Sequence, residues 1–482
     1  MSQLKSLASQ TALFGVSSIL GRLINYALVP LHTSVFVPEQ LGVVTALYAY
    51  TAIFMIAYTY GMETAFFRYV KEAPEKTYQA ATITIIFIST VLTIGIYLFS
   101  DELANEIGYQ EAGSFVRWIS IIMWIDAFLA IPFAKLRFQN KAKKFALIKI
   151  VNILLNIVIQ FSLLQLLPLL FEAFDISIGH IFLANLIANG SILLFFFNEI
   201  KQLRFHLEIR IVKSMLVYST PIFFMGLAGM LNEQLDKILI EHILPDTYYE
   251  NMNSAAALGV YGQTFKLGIF MMLAVQAFRY AGEPFFFSKA EDKNAPELFA
   301  RVMHYFIISS LLLFVLVSIN VDLIAYIFLR KPEFRVALYL VPLLLFGKLL
   351  YGIYLNLSIW FKLKNKTQYG LYFSLVGVVI TVVGNIILIP TLGLLGCTIV
   401  IMCSYAVMCI LCYIYGRKYF PIPYNFIATL PYFIISLLIV ITCYYVKHPI
   451  TLADIVIKVA ISGVLVYALW LIEKNKLTTK TS

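Results

Sequence analysis

The sequence predicts an all-α integral membrane protein of about 14 transmembrane helices: two pseudo-symmetric six-helix lobes plus a C-terminal helix pair. Three observations predict it. The 482 residues are 61% hydrophobic and 13% charged, whereas a soluble domain is about 45–50% apolar and about 25% charged. The apolar residues fall in runs long enough to cross a hydrocarbon core of about 30 Å as helices. They show no strand-period alternation, and only helices and closed barrels satisfy their backbone in lipid. Finally, the net charge of +10 is unevenly spread, most Lys and Arg lying in every second connection, which is the positive-inside bias. That distribution makes the basic character a topology signal and predicts no nucleic-acid partner.

The spans centre on 10–36, 41–66, 79–100, 114–134, 145–168, 178–198, 214–244, 257–281, 299–319, 336–361, 369–390, 395–416, 428–446 and 453–472. The first run is too long for a signal-peptide core and lacks a small-residue cleavage site, so it is expected to be retained as a span. An even number of spans places both termini on one side. The basic connections, expected in the cytoplasm, include Arg68 to Lys76, Lys135 to Lys144, Lys201 to Lys213, Arg279 to Arg301, Lys362 to Lys366 and Arg417-Lys418. An opposite connection, Asp101 to Glu111, is purely acidic. The expected topology is multi-pass, with cytoplasmic termini.

Domain organisation follows from a linker and a repeat. In the linker 201–213, residues Leu203 to Lys213 alternate charged and apolar residues and suit an amphipathic interfacial helix. The linker separates an N-terminal six-helix lobe (1–200) from a second lobe (214–416), leaving 417–482 as an added helix pair and tail. Val29-Pro30 followed by Leu41-Gly42-Val43 resembles Leu244-Pro245 followed by Leu258-Gly259-Val260. Counting back from the prolines places Arg22 opposite Lys237. Spans 5 and 11 each carry mid-span asparagine, Asn152 and Asn156 in one and Asn385 in the other. Asn there hydrogen-bonds between helices, as packing or as substrate contact.

The stretch Gly21-Arg22-Leu-Ile-Asn25-Tyr-Ala-Leu-Val-Pro30-Leu, the run Gly61-Met-Glu-Thr-Ala-Phe-Phe-Arg68-Tyr69, Leu258-Gly-Val-Tyr261, and above all Gly384-Asn385-Ile-Ile-Leu-Ile-Pro390-Thr-Leu-Gly393-Leu-Leu-Gly396 carry a resemblance. Their order and spacing over residues 1 to about 416 resemble the polysaccharide (O-antigen-type) flippases of the multidrug/oligosaccharidyl-lipid/polysaccharide exporter superfamily. The resemblance implies alternating-access export of a lipid-linked (undecaprenyl-diphosphate) oligosaccharide for surface polysaccharide or lipopolysaccharide biosynthesis. Implied partners are that lipid-linked oligosaccharide, membrane lipids, a polysaccharide polymerase and glycosyltransferases.

Ionisable residues inside spans cost about 2.5–3.5 kcal/mol each on insertion scales, so they face polar cavities or partners. Arg22, Lys237, Lys266 and Lys348 are the substrate-binding candidates, because a pyrophosphate crossing low dielectric needs compensating cations. Lys237 has structural alternatives in Glu233 and Glu241, each four residues away on the same helix. Asp126 and Asp236 are the ion-coupling candidates, with pairing to a cation as the alternative for Asp126. Glu63 and Arg68 suit an interface or gate.

No phosphate loop and no His-Glu-x-x-His helix is present, so the sequence predicts neither an enzyme nor a cofactor. Cys409 and Cys412 lack further ligands for a metal site. Two alternatives share the architecture, a multidrug/cation antiporter and a peptidoglycan lipid-precursor flippase. A membrane glycosyltransferase or polymerase fits less well, since it usually needs a large extracytoplasmic loop and every such connection here is short.

Overall fold

A computed structural model of the chain describes residues 23–24, 26–201, 203, 208–445, 458 and 460–463. Among them the regular structure is helical. Among the described residues nine helices are long and apolar enough to cross a bilayer, a bent pair makes a tenth span, and Gly179–Phe195 and Leu430–Tyr444 are shorter apolar helices. These correspond in order to predicted spans 2 to 13. Span 1 is described only from residue 23, as part of a turn and helix α1 (Leu28–Val35). Predicted span 14 lies largely outside the described residues.

The remaining helices used below are α2 (Pro38–Thr59), α3 (Met62–Tyr69), α4 (Pro74–Leu98), α5 (Gly113–Phe138), α6 (Ala142–Phe161), α7 (Gly179–Phe195), α8 (Ile209–Ile243), α9 (Ser254–Lys266), α10 (Ile269–Lys289), α11 (Ala295–Ile319), α12 (Val341–Leu357), α13 (Gln368–Leu392), α14 (Leu394–Tyr419) and α15 (Leu430–Tyr445). Several breaks have a visible cause. Tyr60 and Gly61 both adopt positive φ, 45° and 66°, which separates α2 from α3 within one span; Gly61 takes this conformation without a Cβ penalty. After α6 the chain relaxes into a π-helical turn, Ser162–Leu166. Pro168 follows it, and a proline cannot donate to the carbonyl four residues back. The linker's predicted interfacial helix falls partly on residues 204–207, outside the described set. From Ile209 onward the chain is already in α8, five residues before the predicted start.

Two compact units emerge: residues 1–262 with 370–393, and residues 263–369 with 394–482. The first has an aromatic–aliphatic core between α5, α6 and α7, built from Ile125, Phe128, Phe133, Phe145, Ile148, Ile192 and Phe196. In the second, Phe286, Ala295, Phe299, Ile359 and Ile422 pack together. This partition differs from the lobes read from the repeat because α8 packs on α2 and α3. Tyr60 stacks on Phe223 at 5.0 Å and bonds Thr220, and Tyr50 bonds His242 across 3.0 Å. Large apolar residues such as Phe87, Leu98, Val158 and Leu194 are exposed, as expected of surface solvated by lipid.

Candidate functional site: intramembrane charges and polar ladders

In the first unit, polar side chains at helical spacing line one face of α6. Asn152 donates to Asn189 of α7 at 2.9 Å, and Asn156 donates to Asn185 at 3.2 Å. Because α6 and α7 run antiparallel, a step of four residues forward on one matches four back on the other. The ladder extends at both ends. Asn189 donates to Asp126 of α5 at 3.0 Å. Asn185 donates to the Tyr48 hydroxyl of α2, and Gln160 donates to Asn156 at 3.0 Å. The Gln160 carbonyl in turn meets His32 Nε2 of α1. From Asn152 to Gln160 the ladder climbs about 12 Å, at 1.5 Å per residue. Lys149, one turn below Asn152, is the cation whose field acts on Asp126, and its ammonium lies 4.3 Å from the centroid of the Phe133 ring.

A second constellation sits on α8. Asp236 and Lys237 are 1% and 5% exposed. The Lys237 ammonium lies 3.3 Å from Asp236 Oδ1 and donates to the Glu233 carbonyl at 2.9 Å. Tyr261 of α9 donates to Asp236 Oδ2 at 2.6 Å. Both carboxylate oxygens are thus engaged, which offsets the desolvation that would otherwise make this charge too costly to bury. One turn toward the start of α8, Asn232 donates to the Ser374 carbonyl at 3.1 Å and accepts from Thr381 at 3.0 Å. These bonds tie α8 to α13. Asn385, next along α13, donates to its own-helix Thr381 carbonyl, and its buried oxygen finds no protein donor.

In the second unit Lys266 ends α9, and its ammonium donates to the Gln263 amide at 3.1 Å. Lys348, 4% exposed on α12, holds its ammonium 4.7 Å from the Phe265 ring centroid. Lys266 follows Phe265 directly in the chain. Two turns further along α12, both polar ends of the buried Asn356 amide lack a partner among the described residues, as does the Thr264 hydroxyl beside Phe265. Such orphaned groups usually meet water or a polar ligand.

The structure joins Asp236 to Lys237, seats Asp126 at the end of the asparagine ladder, and sets Lys348 against the ring of Phe265 and Lys266 on Gln263. Arg22 lies outside the described residues. Glu63 is bonded to Arg137 at 2.6 Å. Sequence reasoning identified Asn152 and Asn156 as interhelical hydrogen-bonders but missed Gln160, Asn185, Asn189 and His32. The available signal was the four-residue spacing of Asn185 and Asn189, which matches that of Asn152 and Asn156. No group of His, Cys, Asp and Glu able to hold a metal ion occurs among the described residues.

Apolar spans with charges buried among them define a multi-pass membrane protein, and known proteins agree in family and fold. The chain belongs to the polysaccharide biosynthesis protein family, which it matches over residues 35–278; residues 247–387 also match the MatE family. In fold it is similar to the lipid II flippase MurJ in an inward closed conformation, with a TM-score of 0.75, 14% identity, and coverage of 95% of this chain and 99% of that one. An inward-facing multidrug resistance MATE transporter of the MOP superfamily gives 0.65 at 15% identity, covering 83% and 97%. A Vibrio cholerae MATE transporter gives 0.58 at 16% identity, covering 87% and 99%. No curated protein matches by sequence. The chain thus shares the fold of these flippases and transporters.

Proposed function

We propose that the protein flips an undecaprenyl-diphosphate-linked oligosaccharide across the bacterial inner membrane for surface polysaccharide or lipopolysaccharide assembly. Two lobes, 1–200 and 214–416, would alternate access to a shared path, with both termini cytoplasmic. Glycosyltransferases would supply the cargo and a polymerase would consume it. One observation supports an anionic cargo over a cationic drug. Asp236 is neutralised by Lys237 and Asp126 lies in the field of Lys149, whereas among the described residues Lys266 hydrogen-bonds a neutral amide and forms no ion pair. Buried charge of this sign suits a moving diphosphate. Arg22, Lys237, Lys266 and Lys348 are its proposed contacts, and Asp126 and Asp236 the counter-charges through which an ion gradient would act.

The test is glycan export in a deletion strain carrying each variant, normalised to membrane-inserted protein. Lys266→Gln should lower export at least ten-fold at unchanged abundance, and Lys266→Arg should retain part of it. Arg22→Lys should likewise keep partial export, because charge stays while the forked guanidinium is lost. Arg22→Ala should abolish it. Normal export by both Lys266→Gln and Arg22→Ala would defeat the reading. Drug efflux sensitive to Asp126→Asn and insensitive to Lys266→Gln would favour the antiporter.

A further inference from the structure

Away from the intramembrane charges, the second unit carries a cluster of cations on an aromatic shelf where α14 ends. The shelf is built from within. The Trp360 indole donates to the Cys412 carbonyl at 3.1 Å and stacks on Tyr419 with centroids 5.4 Å apart and planes at 13°. Gly416 admits that indole: a Cβ there would stand 3.0 Å from Trp360 Cδ1. Tyr419 shares a 2.7 Å hydrogen bond with Tyr369. Around this shelf stand Lys366 and Lys418, 4.5 and 5.8 Å from the Tyr419 centroid, Lys364 at 5.1 Å from Phe420, and Arg417 at 5.9 Å from Tyr413.

Other basic connections hold a cation on a carboxylate: Lys76 on Glu208, Arg137 on Glu63, Lys144 on Glu199 and Lys289 on Asp292. Here the nearby acid, Glu283, is taken by Lys362 at 2.6 Å. Among the described residues, none of Lys364, Lys366, Arg417 and Lys418 has a carboxylate within ion-pair range. π faces orient these cations without neutralising them.

The helix beneath the cluster is apolar and open. Ile410 and Ile414, each 56% exposed, precede Lys418 at four-residue steps and so share its face. One face of α14 thus offers an apolar stripe that ends in a cation beside tyrosine, the side chain that marks headgroup depth.

We propose that this cluster is a binding site for an anionic phospholipid: the phosphodiester rests among Lys364, Lys366, Arg417 and Lys418, and an acyl chain follows Ile414 and Ile410. The site is separate from the cargo path and does not depend on which cargo moves. A lipid there would clamp the connection before α13 to the end of α14.

The experiment follows thermal unfolding of the purified full chain in micelles titrated with dioleoylphosphatidylglycerol or dioleoylphosphatidylcholine. The native protein should be stabilised by the anionic lipid at lower mole fraction. K366Q/K418Q should weaken that preference by about five-fold for each cation removed, while K366R/K418R should keep it. K143Q/K201Q, which removes two cations from other connections, should leave it intact. Ile414→Ser should weaken the diacyl lipid without creating a response to soluble glycerol 3-phosphate. An unchanged preference in K366Q/K418Q would overturn the proposal, and so would an equal loss in K143Q/K201Q, which would mean only a diffuse basic field. Displacement of the phospholipid by undecaprenyl diphosphate at equal concentration would instead make this a cargo site and overturn the assignment.

Discussion

Gly42 of α2 and Gly259 of α9 pack against each other's helices reciprocally. A Cβ on Gly42 would stand 2.0 Å from the Ala255 carbonyl oxygen, and one on Gly259 would stand 1.8 Å from the Pro38 carbonyl oxygen and 2.9 Å from the Gly42 nitrogen. Gly42 with Ala255 and Pro38 with Gly259 thus form matched pairs, each glycine meeting the residue four before the other. Reciprocity of this kind is what a local two-fold axis produces. The two glycines are also the ones that the repeated Leu-Gly-Val motif aligns. What two short apolar matches only suggested in sequence becomes a geometric relation at backbone contact, reinforced by Asn253 donating to Glu39 at 2.9 Å.

Backbone atoms cannot step aside as side-chain tips can, so Gly42→Ala should force α2 and α9 apart. The expected cost is that of overpacking, about 1–3 kcal/mol, read as a lowered melting temperature of the purified protein. Gly95→Ala in α4 is the control, because nothing lies within 4 Å of a Cβ there. It should be neutral or stabilising by about 0.5–1 kcal/mol, since Ala is the better helix former. Equal effects at the two positions would mean that the close crossing does not hold the helices.

Helices were legible in this sequence to a degree that contacts were not, for a physical reason. Whether a run such as 299–319 can cross a bilayer depends on its own length and hydropathy. Which carboxylate meets Lys237 depends on where α9 delivers the Tyr261 hydroxyl. The four-residue rule pointed to Glu233 and Glu241. In the fold Asp236 comes within 3.3 Å, an adjacent residue that the exposed-helix rule does not consider. Burial changes that choice, because the least exposed carboxylate most needs the charge. Asn185 and Asn189 illustrate the same limit, since their spacing is local while their partners lie on α2, α5 and α6.

The asparagine ladder should be cooperative. Asn189 both accepts from Asn152 and donates to Asp126, so Asn189→Leu strands two groups where Asn152→Leu strands one. Interhelical hydrogen bonds in membranes average about 0.6 kcal/mol and reach about 1.7. Asn189→Leu should therefore lower stability more than Asn152→Leu. A double-mutant cycle on thermal unfolding should give a coupling of about 0.5–1.5 kcal/mol. Strict additivity would show that the 2.9 Å contact carries no energy.

Orientation has its own test. The proposed orientation, read from the basic connections, would put residues 139–141 and 364–367 in the cytoplasm and the connection 246–253 on the far side. A phosphatase inserted after Glu250 should be active and one inserted after Asn365 silent, with a fluorescent reporter giving the reverse pattern. Activity of the phosphatase at Asn365 would invert the topology.

The pair on α8 allows structural support and cargo contact to be separated. Lys237→Met alone removes the cation beside Asp236 and leaves a buried carboxylate held by the Tyr261 hydroxyl. Stranding such a charge costs about 3–5 kcal/mol, so inserted protein should fall sharply. Lys237→Met combined with Asp236→Asn removes both charges and retains an oxygen acceptor for Tyr261, so abundance should recover to near the native level. Export then decides the role. If Lys237 compensates a moving diphosphate, the double variant should be abundant and export at least ten-fold less glycan per inserted molecule. If the pair is only a strut, abundance and export should recover together, and Lys237 would leave the set of cargo contacts. Asp236→Asn alone sharpens the comparison: it keeps the lysine and frees it from its counter-charge, so a compensating role predicts substantial export where the Lys237→Met, Asp236→Asn pair has little.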